Sequence, residues 1–70
     1  MATTTDSTMI VNTKGARLNL RESPSMAARI LAKLRHGEKI TVIQRMPSGW
    51  ALVATKNGNS GWVQDGFLVL

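Results

Sequence analysis

Gly49-Trp50-Ala51-Leu52-Val53-Ala54-Thr55-Lys56-Asn57-Gly58-Asn59-Ser60-Gly61-Trp62-Val63 is the stretch that decides how this chain is read. Two short apolar segments, each marked by a Gly-Trp pair, flank a run of turn-forming residues. Asn57-Gly58 supplies the positive φ angles of a tight hairpin, so the segments on either side are expected to pair as antiparallel strands. Trp50 and Trp62 are, besides Phe67, the only aromatic residues. In so small a chain they either close the core or form its contact surface. Trp50 and Val53 lie an odd number of positions apart, and Trp62 is followed directly by Val63, so in regular strands each tryptophan faces away from its valine. If the valines are core, the rings line the other surface, where flat faces and N–H donors suit a peptide or sugar. A bulge would instead turn a ring inward as core cover.

Working outward, Lys39-Ile40-Thr41-Val42-Ile43-Gln44 is the strongest strand, β-branched and with Ile40 and Val42 on one face. Met46-Pro47-Ser48-Gly49 suits a type I turn, with Pro second and Gly fourth. Upstream, Leu18 and Leu20 share one face and Asn19 and Arg21 the other, which makes a half-buried strand that must end at Pro24. Residues 26–34 are ambiguous. Their composition and the spacing of Ile30, Leu31 and Leu34 fit a helix. The competing register leaves residues 26–28 as loop and turns Ile30, Ala32 and Leu34 inward on a strand. Met9-Ile10-Val11 reads as a short strand and the available partner for Phe67-Leu68-Val69-Leu70. Residues 1–8 are small, polar and rich in Thr, and are expected to be a flexible tail before a single domain at 9–70. Short strands with turn signals every eight to twelve residues describe a small antiparallel barrel or sandwich.

Seventy residues allow one core. The absence of cysteine excludes disulfides, thiol catalysis and cysteine zinc sites. One histidine, His36, and four dispersed carboxylates offer neither a nucleophile–base pair nor a metal-ligand spacing, so no enzyme activity, metal or cofactor is expected. No apolar run approaches the roughly 20 residues of a membrane span, so no membrane partner is expected. Met1 to Thr8 show no basic region followed by an apolar one. The chain is therefore expected to be cytoplasmic as synthesised, reaching the cell envelope or a phage particle by assembly or lysis. The net charge of +5 is uneven, with seven Lys/Arg against three acids in residues 1–40 and two against one in residues 41–70. A basic half can serve an anionic partner. Its cations are spaced singly, however, without the aromatic interleaving of single-strand binding platforms, so a solvated surface is the favoured reading and weak nucleic-acid binding ranks last.

Leu18-Asn19-Leu20-Arg21-Glu22-Ser23-Pro24, then Ile30, Leu34, Gly37, Ile40-Thr41-Val42, Gly49-Trp50, Val53, Asn57-Gly58 and Gly61-Trp62-Val63, resemble the bacterial SH3-like (SH3b) domain in order and spacing. The resemblance covers nearly the whole chain from Ile10 to Leu68. It implies an all-β fold, a small antiparallel SH3-like β-barrel of five to seven short strands, and with it resolves residues 26–34 as loop plus strand. It also implies a binding role. Many members accompany peptidoglycan hydrolases and bind cell-wall peptide or cross-bridge, whereas others are plain interaction or structural modules. The chain departs from eukaryotic relatives in having no tyrosine, so their aromatic groove for proline-rich peptides cannot be assembled in its usual form.

The candidate ligand-binding residues are Trp50, Trp62, Asn19, Arg21 and Glu22. Asn19 and Arg21 could hold a carboxylate or amide of a wall peptide. In the alternative reading Arg21 ties down its own turn, Glu22 to Ser25, through backbone carbonyls. The expected function is a non-catalytic module recognising peptidoglycan stem peptide or cross-bridge. The alternative is a structural protein–protein module, a phage or prophage particle component, with apolar residues such as Met26, Leu31 and Met46 as its contact patch.

Overall fold

The computed structural model describes residues 7–70, which form one antiparallel sheet. Its strands are β1 (Ser7–Val11), β2 (Leu18–Arg21), β3 (Ile30–Leu34), β4 (Lys39–Arg45), β5 (Trp50–Ala54), β6 (Ser60–Gln64) and β7 (Leu68–Val69), with a 3-10 turn at Asp65–Phe67. Their order in space is β3-β2-β6-β5-β4-β1-β7. Strand β1 begins at Ser7, two residues earlier than the sequence reading placed it, because Ser7 and Thr8 pair with Val42 and Thr41. The rest of the expected tail lies outside the described residues.

All seven strands feed a single core: Met9 and Val11, Leu18 and Leu20, Leu34, Ile40 and Val42, Ala51 and Val53, Val63, and Leu68. One sheet can bury side chains from every strand in one cluster only by curling onto itself, which is the SH3-like barrel expected. The expected pairing of the two ends is present as well, with Ile10 opposite Val69 and Val11 opposite Leu68.

Two hairpins carry the middle of the barrel, and their turns are built alike. In each, the fourth residue donates its N–H to the first carbonyl, at 3.1 Å, from Gly49 to Met46 and from Gly58 to Thr55. Gly49 and Gly58 then take φ of 95° and 86°, giving a type I turn followed by a left-handed glycine. Asn57 therefore keeps an ordinary φ, and only Gly58 supplies the positive angle the sequence assigned to both. The turn Thr13-Lys14-Gly15-Ala16 is the one with two positive angles in succession, Lys14 at 54° and Gly15 at 100°.

Residues 26–28 are loop and residues 30–34 strand. Ala32 and Leu34 turn inward as expected, but Ile30 does not; it remains 42% exposed. The cause is a bulge. Leu20 pairs with Ala32 and the next residue, Arg21, with Ile30, so Leu31 is the extra residue. Skipping one position moves Ile30 to the side of Arg21, away from the core.

Candidate functional site

Strands β2 and β6 are bonded at a single pair, Arg21 opposite Trp62. Continuing that antiparallel register would set Asn19 opposite Gln64, but no pairing occurs there, and the strands part. The opening is a groove of about 230 Å³. Leu18, Asn19 and Arg21 of β2 form one wall with Thr13, Ala16 and Arg17 of the preceding turn; Trp50, Gln64, Phe67 and Met26 complete it. Its volume lies below the roughly 300–1,000 Å³ of small-molecule pockets.

Trp50 reaches the groove because Ala51 and Val53 are buried, which puts Trp50, Leu52 and Ala54 on the outer face of β5. It lies opposite Gln64 across the hairpin. Trp62 is outward by the same alternation around Gly61 and Val63, but lies opposite Leu52 and Arg21, outside the groove lining. Both rings are half-buried on the face away from the core. The core-cover reading therefore does not describe them, and only Trp50 belongs to the concavity. Gly61 is where the strands come closest: a Cβ there would stand 2.7 Å from the Arg21 carbonyl oxygen and 2.9 Å from Leu20 Cγ.

Arg21 is only 9% exposed although it projects from the outer side of β2. The loop of residues 22–29 roofs it. Its Nη1 donates to the carbonyls of Met26 and Ala28, both at 2.9 Å, so the guanidinium braces the loop after β2 one turn further along than the sequence indicated. Asn19 is half-buried in the wall. Glu22 is exposed on the loop and does not line the groove, its backbone N–H being bonded to Arg29 at 2.9 Å.

Sequence reasoning passed over Phe67, Gln64, Arg17 and Thr13 as site residues, and it set His36 aside. His36 Nδ1 accepts from the backbone N–H groups of Thr13 and Lys14 at 3.1 and 3.2 Å. An accepting Nδ1 leaves Nε2 as the donor nitrogen of the ring. The histidine thus pins the turn that forms one groove wall. Its own turn is docked on β1, with Gly37 donating to the Val11 carbonyl at 2.7 Å. Among the described residues, no three of His, Asp and Glu gather into a metal-binding set.

A second hollow, of about 410 Å³, lies among Thr8, Lys39, Ile40, Thr41, Ala54, Thr55 and Lys56. It is basic and lacks any aromatic platform on which a base could stack.

A curled all-β sheet with a groove beside its first turn defines the class as a small SH3-like barrel. The sequence matches the family described as bacterial SH3 domain over residues 16–69, most of its length, and the chain belongs to that family. No curated protein matches it.

Proposed function

We propose that this chain is a non-catalytic recognition module that binds bacterial cell-wall peptide, the stem or cross-bridge of peptidoglycan, and acts at the cell envelope. The observation that carries this reading is the groove where β2 and β6 part. There half-buried Trp50 lines the same groove as the amide residues Asn19 and Gln64, the latter its neighbour across the hairpin. A flat apolar surface flanked by amides matches an extended peptide, whose backbone offers both donors and acceptors. Family membership supports a binding role in general terms.

The test is co-sedimentation of the folded chain with purified sacculi in low and high salt, beside Trp50→Ala and Trp62→Ala. Salt-resistant pelleting that Trp50→Ala abolishes and Trp62→Ala retains is the expected result. Equal loss in both folded variants, or no pelleting of the parent, would remove the reading for that wall type.

One observation favours a second reading, a protein–protein module in an assembly. Among the described residues strand β3 is an edge of the sheet, and it carries exposed Ile30 and Leu31, with exposed Met26 on the loop before it. An apolar strand edge with unpaired backbone groups is an established route to association between chains. Light scattering that gives a concentration-dependent mass, lowered by Leu31→Lys, would support it over wall binding. Nucleic-acid binding ranks below both, because the basic hollow lacks stacking residues; it predicts affinity that falls steeply with salt.

A further inference from the structure

Among the described residues, Arg21 is a buried cation with no carboxylate bonded to it. Among the described residues, Glu22 is exposed on the loop, Glu38 accepts from the Arg35 backbone N–H at 3.1 Å, and Asp65 pairs with Arg45 at 3.4 Å. None of these carboxylates lines the groove, whereas Arg17 and Arg21 both do. Arginine is seldom this buried unless paired, and two carbonyls solvate only part of its charge.

The direction of the unused edge is informative. Both side-chain hydrogen bonds of Arg21 leave from Nη1, so Nε and Nη2 have no acceptor within the described residues. Among the described residues no buried side-chain nitrogen is left without a partner, so these two atoms keep contact with solvent. Arg21 itself lines the groove, which puts this edge within reach of a ligand held there. Nε and Nη2 together form the edge of a guanidinium that grips a carboxylate with two parallel hydrogen bonds.

We infer that the groove recognises its peptide by a carboxylate, seated on the Nε–Nη2 edge of Arg21 and attracted by Arg17, with the adjoining peptide side chain against Trp50. The inference rests on the peptide-binding reading above and narrows it. A phosphodiester polymer fits less well, because it needs a track of cations along its length, and here two arginines stand in a short groove whose remaining lining is uncharged.

The experiment is an NMR titration of the isotope-labelled chain with acetyl-trialanine bearing a free C-terminal carboxylate, and with the same peptide as its C-terminal amide. The acid is expected to shift the Trp50 indole, Asn19 and Gln64 resonances and to bind at least about tenfold more tightly than the amide. Arg17→Gln, at an exposed position, is expected to weaken the acid several-fold more than the amide. Arg21→Lys keeps the charge but loses the two-pronged edge, and where it folds is expected to reduce the preference to the part that Arg17 supplies. Equal affinity for the two peptides would overturn the carboxylate inference and leave the peptide-binding reading standing. Shifts centred on Trp62, or none with either peptide, would also overturn it, and sacculus pelleting would then decide the broader reading separately. Sodium acetate binding as tightly as the acid peptide would reduce the site to a simple anion site and equally overturn it.

Discussion

At the scale of single residues, the turns separate amino acids that look alike in the sequence. Gly58 holds φ of 86° with open space where a Cβ would go, whereas Asn57 has an ordinary φ. Gly58→Ala is therefore expected to cost about 1 kcal/mol through backbone strain alone. Asn57→Ala should cost less than half of that, with urea denaturation as the measure. Asn-Gly was a legible turn signal. Which of its residues bears the left-handed angle was not, because that depends on the number of loop residues the strands leave unpaired. His36 was opaque for a different reason: its partners lie 22 and 23 positions away, beyond any local pattern. His36→Ala leaves two backbone N–H groups to water and is expected to lower stability by about 1 kcal/mol. It should also loosen the turn carrying Arg17, seen as faster amide exchange at Thr13 and Lys14 than at the Gly58 turn.

At the scale of elements, the alternation of Leu18, Leu20, Val53 and Val63 was enough to assign faces, and the structure keeps all of them. It failed at Ile30, because one bulged residue reverses every face beyond it and leaves no mark in composition. The groove was half legible for a related reason. Trp50, Asn19 and Arg21 were identified from their outward faces, yet their meeting depends on β2 and β6 parting after one bonded pair, which is a matter of sheet curvature. Trp62 and Glu22 fall on the far side of that divergence. Gly61 holds the two strands at the distance where the parting begins. Gly61→Ala must push its methyl into the Arg21 carbonyl and Leu20, and a cost of about 1–3 kcal/mol is expected in denaturant titration. If the variant folds, its groove should also be altered, with changed Trp50 fluorescence as the sign. An unchanged stability and emission would mean that the backbones separate without consequence.

At the scale of the whole molecule, a chain this short buries only roughly 60% of its unfolded surface, so each strand's few core residues matter and the barrel tolerates little loss. The fold was legible because every strand is brief and every turn carries its own punctuation. The twin turns at Gly49 and Gly58 also set an order of events in time. They join β4, β5 and β6 by contacts between near neighbours in sequence, whereas β1 and β7 bring together the first and last described strands. Loop closure makes distant pairings slow to form, so the three-strand meander is expected to be structured in the folding transition state before the ends dock. In stopped-flow kinetics Val53→Ala should then show at least about half of its stability loss in the folding rate. Val11→Ala, equally buried, should act mainly by speeding unfolding. Comparable slowing of folding by both would mean the ends meet early. With the order as expected, the groove is completed late, because β2 reaches β6 only after the meander exists. The groove would then be the first part of the barrel to open under strain and the last to be restored.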